Sequence, residues 1–462
     1  MKIMKPRMKL NGYIGLCLVA ATLLVHACSD NDKGTEYPNT LPDLPNDEVM
    51  YWNEKVETVL NVPNFQIDGQ SSGMTPPAQC RFFAMAQIAV HDALNSIEPA
   101  FETHALRGIS DRVADPNAAI AAASYWTLKK LNLQANFPLD LWYEERLNKI
   151  PEGDAKTHGL KLGEQAADAI IAKRANENLL VANQQLPGPD GTAPGEYRST
   201  LWFSAAPANP KIKALKDWGT EIQPFVLERN DQFRPKAPYS IQSQQYVNDF
   251  NEVKNLGGAH STTRTAQQEE ITKFWIERFG STWNRFARNY IKDKNIDAWT
   301  TARLFAMMNV AMADMCTAGF NAKYHYFTWR PETAIRIDDD GNPNTQQDPD
   351  WLPFFIESPN ADPSRHVYCP PIPEYPSVHS GAGSAATTIL RILMGTDQIL
   401  VRHTSLGLPG VERELKSFTG AAQENALARL YAGHYFRTSL DAGMRMGEDI
   451  ATYVHKHAFK RK

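Results

Sequence analysis

Apolar residues recur at intervals of three and four along most of the sequence and at intervals of two almost nowhere, so the pattern predicts helices. From Arg81 to Ile97, the residues Phe82, Met85, Ala86, Ala89 and Ala93 fall on one helical stripe. Asp115, then Pro116 and an Ala-rich run to Leu131, reads as an N-cap with proline at the first helical position. Residues 156–176 form another candidate helix. Thr265 and Gln268 make a capping box ahead of Ile271, Phe274, Trp275 and Phe279, which share a face. Residues 297–321 are apolar nearly all round, the mark of a central buried helix. Helices at 381–394, 420–433 and 440–458 complete the protein. No strand pattern or internal repeat is evident, so the expected class is all-α: a helical bundle with its chemistry in the C-terminal half.

The periodicity fails between Gln185 and Ser240, where Pro187, Pro189, Pro194, Pro207, Pro210, Pro224, Pro235 and Pro238 interrupt it. This excursion, at about 185–240, is expected to be irregular and to form part of a pocket rim, together with Trp329 and Phe327. The sequence starts with Lys2, Lys5, Arg7 and Lys9, runs through an apolar stretch from Ile14 to Val25, and reaches Val25-His26-Ala27-Cys28. The stretch is shorter than the roughly 20 residues of a membrane span. It resembles a bacterial lipoprotein signal, which implies removal of residues 1–27 and lipidation of Cys28. Ser29-Asp30-Asn31-Asp32 resembles the acidic export tag of surface lipoproteins. Residues 28–50, with Pro38, Pro42 and Pro45, then read as a tether, and residues 51–462 as a single folded domain. The expected location is the outer membrane or cell surface of a Gram-negative bacterium, with the membrane as a partner through Cys28.

Composition narrows the function. With 42% hydrophobic and 22% charged residues, the protein is able to bury a core. Its net charge of −4 becomes −8 without the basic leader, which argues against nucleic acid as a partner. Beyond Cys17 and Cys28 the cysteines are Cys80, Cys316 and Cys369, without metal-ligand spacing. Cys316 lies in an apolar run and reads as a small core residue. Asp338, Asp340, Asn342 and Asn344 alternate oxygen ligands, but Gly341 is out of phase with a calcium-binding loop and the closing Glu is missing, so a solvated turn is expected.

The chemistry concentrates in three segments. Lys323 and Arg330 stand seven apart where the apolar helix meets Pro331, and a compact ammonium with a planar guanidinium can hold a tetrahedral anion from two sides. Ser377, Val378 and His379 follow Pro376 at the start of an Ala- and Gly-rich helix. There backbone N–H groups face an anion, the Ser377 hydroxyl can add a donor and His379 can exchange a proton near neutrality. Arg429, His434 and Tyr435 lie in or at the end of a later helix.

In this order the segments resemble the superfamily of vanadium-dependent haloperoxidases and type-2 phosphatidic acid phosphatases, with its pattern K-x6-R-P, P-S-G-H and S-R-x5-H. Phe320 to Pro331 resembles the bacterial haloperoxidase-like branch beyond the motif letters, and milder resemblance reaches Val90–Asn95 and Arg264–Gln267. The resemblance implies an oxyanion site in a helical bundle. Lys323, Arg330, Ser377, Val378, His379, Arg429 and His434 would bind the anion, and His379 and His434 would be catalytic. His434 would be the vanadium ligand of a vanadate cofactor, with Tyr435 in its place if the register does not slip.

The sequence departs from the pattern at three places. Val378 stands where glycine is usual, Ala428 replaces the serine, and His434 lies five rather than six residues after Arg429. A regular helix would bring Tyr435 to the apex; a helix ending at Gly433 would bring His434. Three functions fit. One is a vanadate-dependent haloperoxidase acting on halide and hydrogen peroxide. The second is a phosphomonoesterase using the same pocket on a phosphate ester without a cofactor, and the third a non-catalytic oxyanion-binding surface lipoprotein.

Overall fold

Asp92 and Asp314, each on a long buried helix, hold down the loops that run across the bundle. The computed structural model describes residues 41, 43–61, 65–67, 70–72, 75–133, 137–177, 190–199, 203–204, 217, 219–337, 340–354, 365–366 and 370–462. The proposed signal, Cys28, Ser29–Asp32, Cys369 and Asp338 lie outside these residues. In order along the sequence the helices are α1 (Asp47–Leu60), α2 (Pro76–Ile97), α3 (Pro116–Lys130), α4 (Leu139–Leu147), α5 (Asp154–Lys173), α6 (Gln244–Leu256), α7 (Ala266–Phe274), α8 (Phe279–Ile291), α9 (Ala298–Tyr326), α10 (Pro331–Arg336), α11 (Val378–Met394), α12 (Phe418–Tyr431) and α13 (Arg437–His457). The protein is mostly helical, as the periodicity predicts. No helix among the described residues is long and apolar enough to cross a membrane.

Local signals set many of the boundaries. Asp115 accepts from the Ala118 N–H ahead of Pro116, and Thr265 and Gln268 form the reciprocal capping box of α7. Helices α2 and α9 pack together at the centre; α3 and α5 cover α2, while α11 and α13 cover α9, with α12 against α11. Asp92 on α2 accepts the backbone N–H groups of His104, Ala105 and Leu106 at 2.6–2.9 Å. Asp314 on α9 does the same for Phe225, Val226 and Leu227 at 2.5–3.1 Å. Each carboxylate thus satisfies three donors that a buried loop would otherwise leave unpaired.

Four expectations need correction. The tether does not extend to residue 50, because α1 starts at Asp47 and buries Val49, Trp52, Val56 and Val59. Phe279 does not continue the face of α7, which ends at Phe274; it begins α8. Strands are present: β1 (Phe65–Ile67) pairs with β2 (Gln70–Ser72), β3 (Phe203–Ser204) with β4 (Arg365–His366), and β5 (Gln398–Thr404) with β6 (Glu412–Ser417), all antiparallel. The β5–β6 hairpin was hidden because one of its inward positions is His403, a polar residue. Helix α12 ends at Tyr431, two residues before the expected 433. The described parts of the excursion carry no helix, as expected. Cys80 and Cys316 are buried free thiols.

His403 also gives the fold a pH signature. It is buried against Phe274 and Phe286 with Nε2 3.0 Å from Thr282 Oγ1. Burial, then Arg285 and Arg288, lower its pKa from 6.5 to about 3. The folded protein therefore keeps this ring neutral while the unfolded state protonates it below about 6.5, so its contribution to stability is lost as pH falls from there towards 3. Urea midpoints measured from pH 7 to pH 4 should decline less steeply in His403→Gln than in the unmodified protein.

Candidate oxyanion site

The site is built where α9 ends, where α11 begins and where α12 stops. Lys323 lies in the last turn of α9, which closes with Phe327 in the left-handed region, its N–H on the Lys323 carbonyl. The following residues are fixed by the excursion: Tyr197 N–H donates to Phe327 O at 2.7 Å and Trp329 N–H to Gly195 O at 2.9 Å. Arg330 caps α10, whose first residue is Pro331.

Both cations are fully buried, and carbonyls of the segment leading into α11 receive them. Lys323 Nζ donates to Pro373 O at 2.9 Å and to Glu374 O at 2.6 Å. Arg330 Nε donates to Ile372 O at 2.9 Å, and its Nη1 reaches His434 O at 3.0 Å. Burial, followed by Arg330, pushes the Lys323 ammonium well below its ordinary value, while Glu374 pulls the other way. Burial raises the Glu374 carboxyl to about 7 against the opposing pull of Lys323, Arg330, the Phe436 N–H and Ser439. An anion placed against Lys323 would favour its charged form.

Helix α11 starts at Val378, so the Val378 and His379 N–H groups belong to its first turn, which has no intrahelical acceptor. The Ser377 hydroxyl also caps the helix. It accepts from the Ser380 N–H and lies 2.8 Å from the Ser380 hydroxyl. Val378 has no positive φ and does not strain the turn. Its side chain packs on Gly319 of α9, where an added Cβ would lie 2.6 Å from Val378 Cγ2. The space that glycine would leave at 378 is thus matched by a glycine on the facing helix.

His379 is buried, edge-on to Phe279, with Nδ1 2.7 Å from Arg429 Nη2 and Nε2 2.9 Å from the Asn425 side chain. Burial, then Arg429 and His434, hold its pKa well below the ordinary imidazole range. Past Arg429, α12 closes on Gly433 at φ +80°: His434 N–H returns to Arg429 O at 3.1 Å and Gly433 N–H to Leu430 O at 2.8 Å. This paired closure ends the helical phase, so consecutive side chains are no longer 100° apart around an axis. Both rings are buried. His434 acts electrostatically on His379, whereas the Tyr435 ring lies 4.4 Å from the Arg330 guanidinium carbon and 5.1 Å from Lys323 Nζ.

The fold thus brings together Lys323, Arg330 and Tyr435 with Glu374, and His379 and Arg429 with Asn425 and His434; the Arg330–His434 bond joins the two groups. Sequence reasoning missed Glu374, Ser380 and Asn425. The one signal in the sequence is that Asn425 lies a helical turn before Arg429, which puts both on one face without linking either to His379. A cavity of about 300 Å³ adjoins Glu374 and is lined by Trp329, Tyr326, Phe436 and, from the excursion, Pro194 and Pro238; Phe327 is not in its wall. No metal-binding cluster of His, Cys, Asp and Glu occurs among the described residues. Asp340 and Asn342 instead bond their own turn, Asp340 through Asn342 N and Thr345 Oγ1, and Asn342 through Asn344 N.

Residues 303–461 match the VCPO second helical-bundle domain. The matched VCPO segment contains Lys323, Arg330, Ser377, His379, Arg429 and His434. The protein is also 23% identical over 432 residues to vanadium chloroperoxidase of Curvularia inaequalis, covering 78% of this chain and 68% of that protein. Its fold is shared with a bacterial vanadium-dependent iodoperoxidase, at a TM-score of 0.68 and 22% identity, covering 92% of this chain and 99% of that one. It is shared as well with a holo-type bacterial vanadium-dependent chloroperoxidase, at a TM-score of 0.63 and 14% identity, covering 90% and 98%.

The Val378–Gly319 contact can be tested directly. Gly319→Ala should cost about 1–3 kcal/mol through overpacking. Val378→Ala in the same protein should recover most of that loss in urea unfolding.

Proposed function

We propose that this protein is a vanadate-dependent haloperoxidase-type enzyme that oxidises halide with hydrogen peroxide. The observation that carries the reading is the burial of Lys323 beside Arg330, with Glu374 as their counter-charge, in the segment that matches the VCPO bundle. A donor set of two buried cations, a third on Arg429, a helix start and two imidazoles fits a tetrahedral oxyanion.

Lys323, Arg330, Arg429 and the first-turn N–H groups of α11 would hold the anion oxygens, and the His434 imidazole would be its ligand. Bound vanadate would supply a Lewis-acidic centre that activates peroxide towards halide. The protein's own part is electrostatic and protonic. The cations stabilise charge on oxygen. Burial and Arg429 keep His379 neutral and weaken it as a base, and an anion that offsets the charge of Arg429 would restore its capacity to accept a proton. Tyr435 contributes the face of its ring to the cations, a role that does not need its hydroxyl.

The pairing of His434 with His379 also suits a phosphomonoesterase, in which one imidazole attacks phosphorus and the other protonates the leaving alcohol. Bromination of a dye with peroxide and vanadate, run beside phosphate-ester hydrolysis, separates the two. Activity in the first assay alone supports the proposal, and activity in neither leaves an oxyanion-binding protein. His434→Ala should abolish turnover, and Tyr435→Phe should retain most of it; the reverse ranking would falsify the assignment of His434. Each charged hydrogen bond to a buried oxyanion is worth roughly 1.5–3 kcal/mol, so Arg429→Ala should weaken vanadate binding at least tenfold by calorimetry.

We also propose that the protein is exported and held at the cell envelope through a lipid on Cys28. Mass spectrometry of the membrane fraction should find a modified Cys28 at the N-terminus; an intact leader would show otherwise.

A further inference from the structure

The hydrogen bonds around His379 are inconsistent with the amide orientation shown for Asn425, and resolving the conflict assigns that residue a role. Arg429 Nη2 lies 2.7 Å from His379 Nδ1. A guanidinium only donates, so Nδ1 must carry a lone pair and the neutral ring must hold its proton on Nε2. That proton needs an acceptor. The atom placed 2.9 Å from Nε2 is Asn425 Nδ2, itself a donor. Asn425 Oδ1, meanwhile, is buried and has no hydrogen-bond partner among the described residues. The neighbouring buried donor, Trp283 Nε1, makes no bond to it.

Amide oxygen and nitrogen are distinguished by their hydrogen bonds rather than by their positions. A half-turn of the Asn425 amide places Oδ1 on the Nε2 proton and ends the contact between two donors, while Nδ2 takes the place in which Oδ1 had no partner. Asn425 is fully buried on α12, one turn before Arg429, so a single helix face supplies a contact to each nitrogen of the ring.

We infer that Asn425 is the positioning residue of His379: its Oδ1 accepts the Nε2 proton and fixes the ring as the Nε2–H tautomer, with the Nδ1 lone pair at Arg429. The inference deepens the proposed function and takes its catalytic meaning from that reading. Nδ1 becomes the atom at which His379 takes up or returns a proton, beside the guanidinium that would hold an anion oxygen. Gaining a proton at Nδ1 requires the Arg429 donor to turn away from that nitrogen, as it would towards a bound anion oxygen, while the Nε2–H bond to Asn425 stays intact. An amide nitrogen at that place would support the ring in neither state.

The test is histidine 15N NMR of the full mature protein, with the His379 signals assigned by their loss in His379→Gln. The unmodified protein should show Nε2 protonated and Nδ1 bare at neutral pH. Asn425→Asp, which keeps the acceptor, should preserve that pattern, whereas Asn425→Leu should shift it to a mixture of tautomers. An Nδ1–H tautomer in the unmodified protein, or an unchanged pattern in Asn425→Leu, would overturn the inference. If the leucine variant does not fold, the tautomer in the unmodified protein and in Asn425→Asp decides alone. Calorimetry with sodium orthovanadate on the unmodified protein reads the anion pocket separately. An Nε2–H ring without vanadate binding would retain Asn425 as the partner of His379 while removing the function proposed for the site.

Discussion

Burying two cations side by side is costly unless their donors are taken up and their charge is balanced, and the C-terminal half of this molecule is organised around meeting that constraint. Lys323 and Arg330 cannot turn to water. The backbone instead leads the segment at 372–374 across them, carbonyls inward, before it can begin α11. That crossing in turn fixes where Ser377 caps the helix and where His379 points. Arg330 also reaches the His434 carbonyl, so the turn after α12 is tied to the same pair of charges.

The two central helices meet a smaller version of the same problem with the opposite sign. Asp92 and Asp314 are buried carboxylates surrounded by backbone amides, as the cations are surrounded by backbone carbonyls. In each case irregular backbone supplies the partners. The excursion is therefore not an ornament on the bundle: Asp314 holds its 225–227 stretch, while Gly195 and Tyr197 hold the residues just before Arg330.

Much of this was legible in the sequence because it is local. The caps at Asp115 and Thr265, the apolar run of α9 and the spacing of Lys323 and Arg330 can all be read within one or two helical turns. Helix α1 was missed because it begins within two residues of Pro45, in a segment whose prolines read as tether. The β5–β6 hairpin was missed because it buries His403 where alternation calls for an apolar residue. Glu374 and Asn425 escaped notice for another reason. A lone carboxyl in a proline-rich loop and a lone amide in a helix acquire meaning only when folding sets the first beside Lys323 and the second on His379.

The contact between Val378 and Gly319 bears on how such sites are recognised. A motif letter records a residue, whereas the pocket responds to volume, and here the bulk of Val378 is met by a glycine on a helix 59 positions earlier in the sequence. A literal search for glycine before the histidine would discard this protein, although the space that glycine stands for is still provided. Tallying side-chain bulk over both faces of the helix pair, rather than along one strand of text, would retain it.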